Sequence, residues 1–188
     1  MPHLLIITHP EVVVDPHIPV RDWGLSETGR HRAALFAGSD QMASVTHIWS
    51  STETKARETA GILARARDLP TAVDARLGEN DRSATGFLPP PRFEAAADAF
   101  FANPETSFKG WETAHHAQAR IVRAVQDITA HHTGGDLAIV THGAVGTLLY
   151  CHLCDLAIDR AHDQPGQGHY WTADLTSLHP DHGWKPIA

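Results

Sequence analysis

A chain of 188 residues with 42% hydrophobic content has the size of one domain and can bury a core without disulfides or metals. No apolar run approaches the length of a membrane helix, and the N-terminus enters "HLLIITH" without a charged leader or cleavage site, so the expected location is cytoplasmic, with no membrane partner. A net charge of −7 with both signs interspersed argues against nucleic acid as a partner and leaves room for a small anionic ligand held locally.

In chain order, "LLIIT" from Leu4 to Thr8 is a short apolar run of the kind that forms a strand covered on both faces, ended by Pro10. After a valine- and proline-rich loop, Ser26 offers an N-cap to a helix over Glu27 to Ala37, closed by Gly38. "VTHIWSS" reads as a second buried strand. Ser50 and Glu53 then have the spacing of a capping box for a helix running to about Arg67. "TAVD" suggests a third strand, and the charged, Gly/Pro-punctuated stretch from Arg76 to Pro91 an extended loop over the fold.

Helical patterns follow over roughly Arg92 to Ala102 and Glu112 to His131, the second with a core-facing stripe through Ala119, Val122, Ala124, Val125 and Ile128 and a stop at Gly134-Gly135. "DLAIVTHG" is the clearest strand, "AVGTLLYCHLC" continues it as a helix, and "HYWTADLTSL" suggests an edge strand. Alternation of strand and helix predicts a single α/β domain over residues 1–188, with a mainly parallel central sheet and helices on both faces.

Cys151 and Cys154 read as buried helix residues rather than a redox pair. Fifteen histidines invite a metal reading, but His115-His116, His131-His132, His179 and His182 lie in polar or turn-rich stretches, and no His-Glu-x-x-His helix or cysteine cluster accompanies them. No cofactor is expected. Three strand-to-helix junctions carry polar residues, Thr8-His9, Ser50-Ser51 and Thr141-His142, and a parallel sheet puts all three at its carboxyl edge, where α/β folds bind ligands. The helix after His142 opens at Gly143 with free amides that favour an anion.

These motifs resemble the histidine phosphatase superfamily, the phosphoglycerate mutase-like fold. "LSETGRHRAALFA" is similar to its first helix, "SSTETKARETAGILA" to its Ser-x-x-x-Arg-Ala-x-x-Thr-Ala segment, "LGENDR" to its acid loop, "KGWETAHHAQARIV" to its Gly-Glu-Ser helix, and "LAIVTHGAVGTLL" to its His-Gly strand. The resemblance implies that His9 is a nucleophile that takes up a phosphoryl group, Glu79 the acid and base, and His142 a residue that steadies the transferred group. A neutral imidazole is nucleophilic near pH 7, and a carboxyl group can give a proton to a leaving alkoxide and later take one from water.

Against that pattern, Thr8 and Lys55 stand where the family has arginines, and Pro10 where it has glycine. Lysine supplies a point charge in place of a flat fork, and threonine only a hydroxyl. Arg82 and Arg21 are candidates to restore the charge, Arg57 a weaker one because it faces elsewhere on its helix. Pro10 keeps its carbonyl, which in the family fixes the tautomer of the nucleophile.

Three functions follow. The first is a phosphatase or phosphotransferase working through phospho-His9 on a small phosphorylated compound, one with less charge than a phosphomonoester dianion; mutase activity ranks lower, because no extra substrate-holding segment is evident. The second is a non-catalytic member that binds an anion or a partner protein, and the third a metal-dependent hydrolase with His9, His142 and Glu79 as ligands. A homodimer is among the assemblies this reading allows. Trp23, Phe87, Trp111 and Trp171 are candidates for the pocket mouth, with core packing the equal alternative.

Overall fold

The computed structural model describes all 188 residues. Six strands form one sheet in the order β3-β2-β4-β1-β5-β6. β1 (His3–Thr8), β2 (Val45–Ser50), β3 (Thr71–Val73) and β4 (Asp136–Thr141) are mutually parallel, whereas β5 (His169–Asp174) and β6 (Lys185–Pro186) run antiparallel to their neighbours.

β1 and β4 are apolar from Leu4 to Ile7 and from Leu137 to Val140, because both faces are covered. Leu4, Ile6, Leu137 and Ile139 enter one core together with α3 (Pro90–Ala102), α4 (Ala114–His131), α5 (Gly143–Leu153) and Trp171. Their alternates Leu5, Ile7, Ala138 and Val140 enter the other, against α1 (Glu27–Ala37) and α2 (Thr54–Arg67). This is the period-two pattern of a strand sandwiched between helix layers.

The helix ends follow local chemistry. Ser26 caps α1, its Oγ accepting from the Gly29 amide at 3.1 Å. α3 starts at Pro90, two residues before the expected Arg92, since proline suits a first turn that needs no donor. α4 starts at Ala114 rather than Glu112, because the Thr113 side chain caps it. α4 also ends at His131, ahead of the glycine pair. Gly135 serves a close approach instead: a Cβ there would meet the Ser44 carbonyl oxygen at 2.5 Å.

Three further expectations are corrected. "HYWTADLTSL" does not form an edge: β5 lies between β1 and the two-residue β6, with Trp171 fully buried. Cys151 is buried in α5, but Cys154 lies one residue past the helix and is only half-buried. The proposed capping box does not form, since Ser50 Oγ donates to the Ser51 carbonyl and Glu53, at the N-cap position of α2, makes no capping bond.

Register places the chemistry. Thr8 lies beside Thr141 and Ser50 beside Val140, so the residues that follow, His9, His142 and Ser51, leave three adjacent strands at one level.

Candidate active site

His9 and His142 meet at that edge with ring centroids 5.2 Å apart and an interplanar angle of 62°. His9 Nδ1 is 3.0 Å from the Pro10 carbonyl oxygen. A carbonyl can only accept, so Nδ1 carries the proton and the neutral ring keeps a free lone pair on Nε2. Burial, aided by the nearby Lys55 charge, pushes the His9 pKa down to about 4, so the ring is neutral at pH 7.

His142 is wholly buried, and its Nε2 lies 2.7 Å from Ser51 Oγ and 3.5 Å from Glu53 Oε1. Burial holds its pKa well below the ordinary histidine value, against the opposing pull of Glu53. Its Nδ1 has no hydrogen-bond partner.

Glu79 comes in from the acid loop. Its carboxylate oxygens accept from the amides of Val145 at 3.1 Å and Ala144 at 3.3 Å. The anion favoured by the start of α5 is therefore supplied by the protein's own side chain. Burial raises the Glu79 pKa, the Arg82 charge opposes the rise, and the Glu53 carboxylate adds to it.

The acid loop is held from α4. Arg120 donates to the carbonyls of Arg76 (2.6 Å), Gly78 (2.9 Å) and Glu79 (3.2 Å), and it pairs with Glu112 at 2.8 Å. Glu112 in turn exchanges bonds with Asp81, its amide donating to the Asp81 carbonyl at 2.8 Å and its carboxylate accepting from the Asp81 amide at 3.1 Å.

Lys55 is 3% exposed, and its Nζ donates to the Val20 carbonyl at 2.8 Å and to Glu53 Oε2 at 2.6 Å. Glu53 also accepts the Glu79 amide on Oε1 at 2.9 Å. Burial alone would raise the Glu53 pKa, but His142 and Lys55 outweigh it and bring the value to about 2.

Thr8 is fully buried and turned toward β5: its hydroxyl donates to Gln164 Oε1 at 2.6 Å and accepts from the His169 amide at 2.9 Å. Gln164 lies against Gly143, where a Cβ would approach Gln164 Nε2 to 2.6 Å. Glycine at 143 therefore leaves room for the carboxamide.

A cavity of about 350 Å³ joins His9, Lys55, Glu79, Arg82, Gly143 and Gln164. Arg82 stacks over Phe93, 4.8 Å from the ring centroid, and makes no ion pair. It also lines a second cavity of about 610 Å³, which shares Glu79 and includes Arg21. Arg21 reaches only that outer space, with its side chain 68% exposed, and Arg57 is exposed on another face of α2. Trp23 and Trp111 line the inner cavity, Phe87 packs on Trp23, and Trp171 belongs to the core.

Sequence reasoning missed Glu53, Gln164 and Arg120. Glu53 was assigned to a cap by its spacing from Ser50, and the stretch around Gln164 carries no periodic or motif signal. Arg120 lies within the segment matched to the Gly-Glu-Ser helix, but an arginine on an amphipathic helix reads as solvated surface. No group of three or more His, Cys, Asp or Glu side chains is arranged to hold a metal. His9, His142 and Glu79 are therefore not arranged as the three-ligand set that the metal-dependent reading expected.

Fold and cavity together define a phosphoglycerate mutase-like α/β protein, with paired histidines at the carboxyl edge of the sheet. Residues 15–184 match the sequence model of the histidine phosphatase superfamily (branch 1), and the chain belongs to that superfamily. The matched span starts past His9 and contains Glu79 and His142.

Among solved structures, the chain is similar to Bacillus stearothermophilus YhfR, with 25% identity, a TM-score of 0.81, and coverage of 96% of this chain and 94% of that one. A mycobacterial glucosyl-3-phosphoglycerate phosphatase in complex with inorganic phosphate shares the fold at 22% identity and a TM-score of 0.82, covering 100% and 99% of the two chains. A protein described as mycobacterial hydrolase 1 does so at 20% identity and a TM-score of 0.79, over 100% and 99%. No curated protein matches the chain. No helix is long and apolar enough to cross a membrane.

Proposed function

We propose that this protein is a phosphatase-type hydrolase or phosphotransferase that acts on a small phosphorylated compound through a phosphohistidine at His9. The observation that carries this reading is the 3.0 Å contact between His9 Nδ1 and the Pro10 carbonyl, which leaves Nε2 unprotonated at a cavity shared with Glu79. In the first step Nε2 bonds to phosphorus as the bond to the leaving oxygen breaks, and Glu79 gives that oxygen its proton. In the second step Glu79 takes a proton from water, the water oxygen attacks phosphorus, the P–N bond breaks, and phosphate leaves with His9 restored.

Burial supports Glu79 as the proton donor because it favours the protonated carboxyl. His142, 5.2 Å from His9 and neutral, stands where it can hydrogen-bond the transferred group. Arg82 is the cation free to grip it, with Lys55, Gln164 and Gly143 completing the walls. Arg21, which lines the outer cavity, would meet the part of the substrate beyond the phosphoryl group.

Turnover of an aryl phosphate and a panel of phosphorylated metabolites tests the proposal. Loss of that turnover in His9→Ala is expected, and unchanged turnover would end it. A second reading, an anion- or protein-binding member without catalysis, is favoured by one observation: the Lys55 charge is already neutralised by Glu53. Thermal stabilisation by phosphate or vanadate without turnover of any ester would support that reading.

A further inference from the structure

The reaction outlined above does not use Glu53, yet its carboxylate touches three parts of the site. Oε2 holds Lys55 Nζ at 2.6 Å, and Oε1 holds the Glu79 amide at 2.9 Å while lying 3.5 Å from His142 Nε2. Three cations line the inner cavity, Lys55, Arg82 and Arg160. Lys55 is bound to Glu53, and Arg160 is paired with Glu94 and Asp98. Thr8 adds no charge and is committed to Gln164 and His169. Arg82 is the single unpaired cation.

We propose that Glu53 is a specificity-determining residue, which sets the cavity for a phosphoryl group bearing one negative charge, a phosphodiester or a singly protonated monoester, in preference to a dianion. This selectivity presupposes the phosphoryl pocket proposed above. One guanidinium balances one charge, and because Glu53 neutralises Lys55 the second charge of a dianion finds no free cation in the cavity. The missing attraction of one cation, at an effective dielectric constant of about 20, amounts to on the order of 10–100-fold in affinity.

The groups facing Glu53 are Lys55 on its own helix, His142 at the end of β4 and Glu79 on the acid loop, with His9 and Arg82 across the cavity. The pKa of Glu53 is held at about 2 and that of His9 at about 4, burial lowers His142 well below the ordinary histidine value, and burial raises Glu79 above the ordinary carboxylate value.

Calorimetry with phenyl phosphate and methyl phenyl phosphate at pH 5 and pH 8 tests the assignment. The monoester loses its second proton near pH 6 and the diester does not, so the diester also reports any effect of Glu79 titration. Expected for the unmodified protein is diester binding of similar strength at both pH values, with the monoester binding about 10–100-fold more weakly at pH 8 than at pH 5. In Glu53→Gln, monoester binding at pH 8 should recover by a similar factor, and diester binding should tighten less.

Because Glu53→Gln strands a buried lysine and can unfold the chain, the double variant Glu53→Leu/Lys55→Met, which leaves the net charge unchanged, is measured beside it and should keep the weak binding of the dianion. Preference of the unmodified protein for the monoester at pH 8, binding of neither ligand, equal tightening of both in Glu53→Gln, or tight dianion binding in the double variant would overturn the proposal. Absence of turnover or of His9 labelling would remove the phosphatase reading alone, leaving these binding constants to judge Glu53.

Discussion

The imidazole of His9 and the carbonyl of Pro10 are joined at 3.0 Å, so the proline that replaces the family's glycine preserves the tautomer on which a histidine nucleophile depends. Proline removes an amide and restricts the residue before it, but it cannot remove its own carbonyl. The one contact thus fixes both the ring's orientation and its free nitrogen, in a position dry enough to keep the ring neutral.

Neutrality in that position has a stability consequence. Folding lowers the His9 pKa from an ordinary 6.5 to about 4, so above 6.5 neither state is protonated and the folded state carries no penalty. As pH falls through the window from 6.5 to 4, the unfolded chain takes up a proton that the folded ring refuses. Stability should fall by roughly 3 kcal/mol across it, with His142 adding in the same direction. Urea unfolding at pH 8, 6 and 4 should show the decline, and His9→Gln should flatten it; a profile level from pH 7 to 4.5 would contradict the burial described.

Two glycines should respond oppositely to the same added methyl group. In Gly29→Ala the Cβ would fall 2.2 Å from the Glu11 backbone oxygen, which cannot step aside, and a loss of about 1–3 kcal/mol is expected in thermal or urea unfolding. In Gly143→Ala the obstacle is the end of the Gln164 side chain, 2.6 Å away, which can move aside by giving up its hydrogen bond from Thr8. That variant should keep most of its stability yet lose affinity for phosphate, as read by calorimetry, because the displaced carboxamide enters the cavity.

The strands and the two-histidine edge were legible because their signals are local. Alternating faces of Leu4 to Ile7 and of Leu137 to Val140 determine two cores, and the residue after each strand has nowhere to go but the carboxyl edge. Glu53 and Gln164 were not legible, for different reasons. Glu53 has the spacing of a capping residue, and only the inward turn of its side chain toward Lys55 makes it part of the site. Gln164 reaches Thr8 across 156 positions of sequence, a contact no local pattern encodes. The placement of β5 inside the sheet was missed because its neighbour β6 is two residues long and contains a proline.

Arg120 should act on catalysis through the acid loop rather than through substrate. Its guanidinium holds the carbonyls of Arg76, Gly78 and Glu79, so Arg120→Met removes charge-assisted bonds of about 1.5–3 kcal/mol each in the strongest cases. Expected is a lower kcat for esters of poor leaving groups, which need the Glu79 proton, with aryl esters and KM affected less. Equal losses for both ester classes would assign Arg120 to general stability instead.

The central claim is that a phosphoryl group passes onto Nε2 of His9. Rapid acid-free quenching of the protein with a turned-over phosphodonor, followed by peptide mapping in mass spectrometry, tests it most directly. One acid-labile phosphoryl group on the peptide containing His9 is predicted, absent in His9→Ala and longer-lived in Glu79→Gln, where water lacks its base. Label on another residue, or label undiminished by His9→Ala, would contradict it.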